Sequence, residues 1–304
     1  MAQVFLGMSG GVDSSAAAVL LQAQGYAVSG LHLSLLSGLP LPADRLPDDG
    51  SDARAVASLL GLPFYDMDLS PEFRATVIDY FIREYEAGRT PNPCVFCNRR
   101  IKFGAMWDAA RKLGADYLAT GHYARIERAG GKYVLKKALD ETKDQSYVLY
   151  DLTQETLARV KFPLGTLRKT EARKIAAEAG LINARKHDSQ DICFVPDGDY
   201  ARFMEDFTGK HYPAGDFLDV SGKKVGTHSG AVRYTIGQRK GLGLAMGAPV
   251  YVCAKDMQAN TVTVGPEENL FDRIVYADEV NWIAIPELTA PLRVTARTRY
   301  HQTE

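Results

Sequence analysis

The stretch VFLGMSGGVDSSAAAVLLQAQG (residues 4–25) decides the fold class of this chain. It begins with an apolar run of strand length, continues through a Ser-Gly-Gly turn, and ends in an alanine- and leucine-rich run of helix length that stops at Gly25. A glycine-rich turn between a strand and a helix directs backbone N–H groups and the helix N-terminus outward, which creates an anion site. The stretch therefore predicts a strand–turn–helix unit that binds phosphate. The alternative is a structural glycine turn capped by Ser and Asp.

The turn differs from two common nucleotide loops. It lacks the GK[ST] ending of a Walker A loop, so it contains no lysine that could reach a γ-phosphate. It does not follow the GxGxxG pattern of a dinucleotide turn either. The turn thus indicates phosphate binding without identifying the substrate.

Runs of strand length and helix length alternate through the first two-thirds of the chain. Predicted strands cover residues 26–33, 62–69 and 115–124, and predicted helices cover residues 52–61, 71–87, 105–113 and 152–181, the last with a break at 162–165. Ser51 is the expected cap of the helix at 52–61. Strands separated by helices of this length predict an α/β fold with a doubly wound parallel sheet.

The sequence pattern changes after about residue 207. Short apolar runs alternate there with Gly, Asp and Asn turns, which predicts small antiparallel β modules. We therefore expect a catalytic α/β domain over residues 1–205 and a small β-rich domain over 206–275. Residues 276–304 read as the start of a C-terminal β-barrel that is incomplete, because the sequence stops within a strand pattern.

Composition excludes several classes of protein. The 304 residues carry a formal net charge of -1, so any nucleic-acid site must be a local basic patch, such as residues 99–102, 132–137 or 159–174. No secretory start and no apolar run of membrane-spanning length occurs, which predicts a cytoplasmic protein with no membrane partner. With 4 cysteines, the chain is not a disulfide scaffold.

The stretch TPNPCVFCNRRIKF (residues 90–103) places Cys94 and Cys97 three residues apart. A pair at this spacing can hold zinc, cycle as a disulfide, ligate an iron–sulfur cluster or attack a substrate. A third cysteine, Cys193, lies in QDICF (residues 190–194), where it could also be a buried core thiol. Cys253 lies in a strand-like run and is expected to belong to a core.

Six strings, taken together, resemble one enzyme family. They are GMSGGVDSS (7–15), TPNPCVFCNRRIKF (90–103), ATGHYAR (119–125), KDQSY (143–147), DSQDICFVPDG (188–198) and YTIGQRKGLG (234–243). In this order they resemble the tRNA-specific 2-thiouridylases, which belong to the ATP pyrophosphatase superfamily. The resemblance implies an ATP pyrophosphatase domain that adenylates the C2 oxygen of the wobble uridine, after which sulfur attacks C2 and AMP leaves.

The resemblance also implies site residues and partners. Cys193 matches a persulfide-carrying cysteine and Cys97 its partner cysteine. ATP with Mg²⁺ would be bound by Gly7, Met8, Ser9, Gly10, Gly11, Val12, Asp13, Ser14, Leu33 and Gly121. The target base or tRNA would be contacted by Asn92, Pro93, Cys94, His122, Lys143, Asp144, Gln145, Arg299 and Tyr300. The expected partners are glutamate, glutamine and lysine tRNAs and a sulfur donor, a sulfur-relay protein or free sulfide.

Several of these residues have plainer interpretations when taken alone. His122 could be a capped turn histidine, residues 143–145 a solvated loop, and residues 299–300 a strand edge. Leu33 replaces a methionine that is usual in the family, which is a mild change.

Cys94 departs from the family pattern, in which many members carry aspartate at this position. Three thiols could then meet at one site, and three thiolates with one open position suit a 4Fe-4S cluster on Cys94, Cys97 and Cys193. The alternatives are a Cys193 persulfide resolved by Cys97 without a cluster, or zinc or no metal at all.

Two other functions compete with thiolation. Another ATP pyrophosphatase, such as an amidating or lysidine-forming ligase, would share the phosphate loop but would not need the Cys97 and Cys193 pair. A non-catalytic RNA-binding module with zinc at residues 94–97 would not need the phosphate loop. Sulfur-dependent product and pyrophosphate release distinguish the three.

Overall fold

The computed structural model describes residues 1–41, 50–184, 186, 192–299 and 302. Its strands are β1 (Gln3–Gly7), β2 (Ala27–Ser34), β3 (Phe64–Asp68), β4 (Tyr117–Ala119), β5 (Ala124–Ala129), β6 (Lys132–Lys137), β7 (Val160–Lys161), β8 (Gly215–Asp219), β9 (Lys224–His228), β10 (Tyr251–Asp256) and β11 (Thr261–Gly265). Its α-helices are α1 (Val12–Ala23), α2 (Ser51–Leu59), α3 (Ser70–Phe73), α4 (Asp79–Glu86), α5 (Pro93–Phe96), α6 (Met106–Lys112), α7 (Gln154–Leu157), α8 (Lys169–Glu178) and α9 (Tyr200–Thr208). Short 3-10 turns cover Glu141–Lys143, Ser146–Val148, Ala231–Arg233 and Glu267–Leu270.

A five-stranded parallel sheet in the order β3-β2-β1-β4-β7 forms the centre of the first part of the chain. The strand order reverses at β1, because β2 and β3 lie on one side of it and β4 and β7 on the other. In such sheets the carboxyl ends of the strands on either side of the reversal open a crevice that binds ligands. The predicted α/β fold with a doubly wound parallel sheet is confirmed.

Both faces of the sheet are buried, and β1 shows why its sequence is continuously apolar. Phe5 belongs to a core with Phe73 and Phe81, whereas Val4 and Leu6 belong to a second core with the small residues of α1. Successive residues of a strand point to opposite faces, so a strand covered on both sides needs apolar residues throughout.

Some local predictions were wrong. The predicted helix at 152–181 contains β7, which pairs in parallel with β4, so the helical pattern there covers only α7 and α8. Helix α2 includes Ser51, and Gly50 with φ 81 precedes it as the cap. In the small domain β8 pairs in parallel with β11, although the β8–β9 and β10–β11 pairs are antiparallel as expected.

The helix that carries the cysteine pair was not predicted. Residues 93–112 form one helical path, in which the π-helical segment Cys97–Ala105 joins α5 to α6. The segment Arg74–Ile78 similarly joins α3 to α4 in π-helical geometry. Wider π turns often occur at functional sites, and here one of them begins at Cys97.

The second part of the chain contains a four-stranded sheet in the order β10-β11-β8-β9. Its core includes Phe217, Val252 and Val262, all fully buried. The described residues from 271 to 299 contain no helix or strand, so the expected start of a C-terminal barrel stays a prediction. Within the described ranges, no helix has both the length and the apolar composition needed to cross a membrane.

We expect Leu118→Ala to lower the free energy of unfolding by about 2–5 kcal/mol, because Leu118 is fully buried in β4 between β1 and β7. Leu113→Ala is the matched control, since Leu113 is 48% exposed, and its effect should stay within about 0.5 kcal/mol. Urea unfolding followed by circular dichroism measures both. Equal effects of the two substitutions would contradict the described sheet.

Candidate active site

The turn between β1 and α1 is built by its own backbone and hydroxyl groups. Gly10 has a φ of 68°, a left-handed conformation that favours glycine. The Ser14 hydroxyl accepts from the Ser9 N–H at 3.3 Å and donates to the Gly11 carbonyl at 3.1 Å. Among the described residues no side chain caps the N-terminus of α1, so its first N–H groups suit an anion.

Three predicted ATP residues lie at the carboxyl ends of adjacent strands. Gly7 ends β1, Leu33 lies near the end of β2, and Gly121 follows β4. A Cβ at Gly121 would lie 2.9 Å from the Ser14 nitrogen and 3.0 Å from the Asp13 carbonyl carbon. Only glycine therefore lets the end of β4 approach the start of α1 so closely.

Two side chains that the sequence analysis missed hold this turn from outside. Asn183 donates from Nδ2 to the Gly10 carbonyl at 2.9 Å and to the Ser15 hydroxyl at 2.7 Å. Lys169 Nζ lies 2.7 and 2.8 Å from the two carboxylate oxygens of Asp13. No local sequence signal could reveal these bonds, because their partners are more than 150 residues apart.

The cysteine pair begins the helical path of residues 93–112. Asn92 caps α5, its Oδ1 accepting from the Cys94 N–H at 3.2 Å, and Pro93 follows at the first helical position, where a missing N–H costs nothing. Cys94 is exposed, whereas Cys97 is buried at 7% exposure in the core that contains Phe5. Burial raises the pKa of the Cys97 thiol; Lys102 opposes this effect and Cys94 adds to it.

Cys193 is not the buried core thiol that its apolar neighbours suggested. Cys193 is exposed, whereas the next residue, Phe194, is buried. The centroid of the Phe194 ring lies 5.7, 5.2 and 5.1 Å from the ring centroids of Phe73, Phe81 and Phe203. Phe194 thereby anchors Cys193 to the core. Residues 188–191 of the same motif lie outside the described residues.

Cys193 is solvent-exposed as a residue, yet protein atoms surround much of its sulfur. The residue reaches the surface, but burial by the protein around the sulfur, followed by the neighbouring Cys97 and Cys94 thiols, raises the pKa of its thiol to about 12. The Cys97 and Cys94 thiols are thus near enough to Cys193 to act on its pKa. Each of Cys97 and Cys193 holds its proton at neutral pH in this arrangement.

The three cysteines supply the donor atoms that the predicted 4Fe-4S cluster would need. Three thiols are suitable ligands for iron, but in the part of the chain that the structure describes no group of three His, Cys, Asp or Glu residues is arranged to hold a metal ion. Cluster binding would require all ligating thiols to lose their protons and to close around the iron, and burial opposes proton loss at Cys97 and Cys193. The donor chemistry therefore fits a cluster, and the present arrangement is not closed around one.

His122, predicted to contact tRNA, is buried beside the phosphate loop. Its Nδ1 lies 2.7 Å from the Thr120 hydroxyl, and burial, followed by the nearby Lys102 charge, holds the pKa of the imidazole well below its usual value. The ring lies about 6 Å from the Phe103 and Phe162 rings. His122 is therefore neutral at physiological pH and offers no positive charge to a phosphate.

Of the predicted tRNA-contacting residues 143–145, Asp144 and Gln145 form hydrogen bonds within the protein. The Asp144 carboxylate is buried and accepts from the Ala138 N–H at 2.9 Å and the Ser146 hydroxyl at 2.7 Å. Gln145 bonds the backbone N–H of Tyr123 through its Oε1 at 3.0 Å. Lys143 ends a 3-10 turn and is half-buried. Asp144 and Gln145 therefore shape the loop next to the Gly121–His122 turn.

The structure joins this loop to the chain near residue 299. Tyr147 donates to the Thr298 carbonyl at 3.1 Å, and Arg297 lies 3.8 Å from the Asp144 carboxylate. Arg299 donates to the Ile236 carbonyl at 2.7 Å. Two of the strings that carry the resemblance, residues 143–147 and 234–243, therefore meet the chain near residue 299, while Tyr300 lies outside the described residues.

Comparisons with known proteins show which family the chain resembles. A family model described as "tRNA methyl transferase HUP domain" matches residues 2–197, and one described as "tRNA methyl transferase PRC-barrel domain" matches residues 201–266. The tRNA-specific 2-thiouridylase MnmA of Treponema denticola is 47% identical over 304 residues, which cover 99% of this chain and 83% of that protein. The chain belongs to the tRNA-specific 2-thiouridylase family. Its resemblance to that family, read from the six strings, is confirmed.

Other members of the 2-thiouridylase family show the same extent of similarity. MnmA of Moorella thermoacetica is 48% identical over 309 residues, covering 98% of this chain and 85% of that protein. A solved U34-tRNA thiolase, NcsA from Methanococcus maripaludis with its [4Fe-4S] cluster, is 18% identical with a TM-score of 0.41, covering 67% of this chain and 65% of that chain. At that level of similarity nothing follows about the ligands of this chain.

We expect alkylation of Cys193 by iodoacetamide to be at least about tenfold slower in the folded chain than in the urea-unfolded chain at pH 8, because the raised pKa keeps the thiol protonated. Its rate should rise continuously from pH 7 to pH 10, since the thiolate fraction grows throughout that range. Site-resolved mass spectrometry measures both. A plateau below pH 9 would contradict the described environment.

Proposed function

We propose that this chain thiolates C2 of the wobble uridine in tRNA in an ATP-dependent reaction. The uridine C2 oxygen attacks the α-phosphate of ATP and releases pyrophosphate. Sulfur then attacks C2, and AMP leaves with the former C2 oxygen, which gives 2-thiouridine. Adenylation is needed because it converts a poor leaving group into a good one, so that a sulfur nucleophile can complete the substitution.

One observation supports this assignment most strongly. The Lys102 charge acts on the pKa values of Cys97, Cys193 and His122 alike. His122 directly follows Gly121, which contacts the start of α1 at the phosphate loop. The sulfur chemistry and the nucleotide loop therefore share one region, as a reaction that joins them requires.

The N-terminus of α1 and the turn of residues 8–11 would bind the phosphates of ATP with Mg²⁺, and Leu33 and Gly121 would flank the adenosine. Met106 supports this arrangement, since its side chain lies 3.3 Å from where a Cβ of Gly7 would be. The helical path that carries Cys94 and Cys97 thus contacts the end of β1. A base that is adenylated at the phosphate loop would therefore lie in this crevice between the nucleotide and the thiols.

For the sulfur step we propose a 4Fe-4S cluster held by Cys94, Cys97 and Cys193. When bound, such a cluster supplies iron with an open coordination position for a sulfur ligand. Cys94 raises the pKa values of both Cys97 and Cys193, which indicates that it lies near both thiols, and Cys94 itself is exposed. Lys102 favours the thiolates that the cluster would need.

The second candidate is a persulfide on Cys193 without a cluster, which the exposure of that residue favours. Its terminal sulfur would attack C2 as AMP leaves. The Cys97 thiolate would then attack the Cys193 sulfur, forming a disulfide and releasing the thiolated base. An external thiol would reduce the disulfide, and a sulfur-donor protein would then transfer the outer sulfur of its own persulfide to Cys193. Free sulfide would act earlier, by attacking the Cys97–Cys193 disulfide itself, which leaves the persulfide on Cys193 and the thiolate on Cys97.

Recognition of tRNA is assigned to the surface around both sites. Asn92 and Pro93 would face the extruded base, and residues 143–145 with Arg299 would shape the surface that meets the tRNA. His122 is buried and, given its low pKa, neutral, so it would help to shape this surface without supplying charge. Glutamate, glutamine and lysine tRNAs are the expected substrates, and the cytoplasm is the expected location.

The test is ATP-dependent thiolation of unmodified tRNA by anaerobically purified chain supplied with iron and sulfide. We expect Cys97→Ser and Cys193→Ser to lower the yield of 2-thiouridine at least about 100-fold, because each removes a sulfur-handling group. Cys253→Ser is the matched control, since Cys253 lies half-buried in β10, and it should behave as the unchanged chain does. Mass spectrometry of tRNA digests measures the product.

Cys94→Ser decides between the two sulfur routes. Loss of bound iron, acid-labile sulfide and thiolation together supports the cluster, whereas full thiolation without iron contradicts it and supports the persulfide. Failure of the unchanged chain to form any 2-thiouridine, with or without bound iron, would contradict thiolation itself. Pyrophosphate release with an amine product would instead indicate a ligase.

A further inference from the structure

Lys169 supplies the phosphate loop with a positive charge that the loop sequence lacks. It is the first residue of α8, only 9% exposed, and its ammonium group contacts both Asp13 carboxylate oxygens at 2.7 and 2.8 Å. The Tyr123 hydroxyl donates to the same carboxylate at 2.9 Å. The Asp13 side chain remains 33% exposed, so this paired carboxylate borders the space outside α1.

The position of Lys169 is unfavourable for its own helix. A positive charge at a helix N-terminus opposes the helix dipole, and burial of an ammonium group adds a desolvation cost. The N-terminus of α8 is satisfied by acidic groups: Glu171 accepts from the Arg168 N–H at 2.7 Å, and Asp140 accepts from the Lys169 N–H at 3.0 Å. The ammonium group is therefore placed to suit the phosphate loop.

The charge of Asp13 explains why a lysine is needed at this position. Asp13 lies in the first turn of α1, and alone its carboxylate would repel a triphosphate that approaches the same helix N-terminus. Paired with Lys169, it adds no net charge, and the partial positive charge of α1 remains available to the phosphates. The pair also holds the first turn of α1 against α8.

We infer that Lys169 is a positioning residue for the polyphosphate of ATP, acting by neutralising and fixing Asp13 at the phosphate loop. The inference rests on the proposed use of ATP and adds to it a residue outside every sequence string that resembles the family. It requires that loss of the ammonium group weaken binding in proportion to the charge of the nucleotide. A residue with a purely structural role would affect all nucleotides alike.

The test is equilibrium binding of Mg²⁺–ATP and of AMP to the full chain by titration calorimetry. We expect Lys169→Met to raise the Kd of Mg²⁺–ATP at least about tenfold, while the Kd of AMP changes less than about threefold. Lys169→Arg keeps the charge and should bind both ligands within about threefold of the unchanged chain. Lys174→Met, on the exposed side of the same helix, is the matched control and should change neither Kd.

Equal weakening of ATP and AMP binding by Lys169→Met, or no weakening of either, would overturn the inference. Methionine offers the Asp13 carboxylate no hydrogen-bond donor, so Lys169→Gln is measured in parallel. Glutamine removes the charge but can still donate one hydrogen bond. The same comparison of ATP binding with AMP binding applies to this variant. Thermal unfolding of each variant verifies that it is folded. If the unchanged chain binds no Mg²⁺–ATP, the proposed function fails, whereas normal ATP binding by a folded Lys169→Met chain refutes only this inference.

Discussion

The hydrogen bonds of Asn183 to the Gly10 carbonyl and the Ser15 hydroxyl are the constraint on which the site depends. Gly10 turns the chain through a left-handed conformation, and the Ser14 hydroxyl bonds the turn only at Ser9 and Gly11, on either side of Gly10. By bonding both the turn and the helix that follows, one buried amide fixes where the N-terminus of α1 points. The close approach of Gly121 to Ser14 is possible only with the turn in that place.

The parallel sheet extends this constraint to the rest of the site. Strands β1, β2 and β4 are neighbours, so whatever follows their carboxyl ends is brought to one edge. The helical path of residues 93–112 reaches that edge where Met106 packs against Gly7, and Cys94 and Cys97 lie at the beginning of the same path. Phe194, buried among aromatic rings, holds Cys193 near the same helix. The architecture therefore brings the phosphate loop and the cysteines to one region, where the proposed reaction would need them.

The sequence was sufficient for features with a local pattern. The β1–turn–α1 unit, most strands of the parallel sheet and the β hairpins of the small domain follow from apolar runs and glycine turns. Strand β7 was missed because two residues between helical stretches give no period to detect, and the cysteine helix because prolines precede it and π turns shift its spacing. Lys169 and Asn183 were missed because their partners are distant in sequence. His122 and Asp144 were expected to face tRNA, but their side chains are buried, which only tertiary packing decides.

The most direct measurement follows the oxygen that leaves the base. A tRNA whose wobble uridine carries ¹⁸O at C2 is thiolated by the chain with unlabelled ATP, and the released AMP is analysed by mass spectrometry. If the phosphate loop activates that oxygen, each AMP formed with a 2-thiouridine carries one ¹⁸O on its phosphate. Formation of 2-thiouridine with unlabelled AMP would contradict adenylation of the base, and with it the joint site at the end of β1.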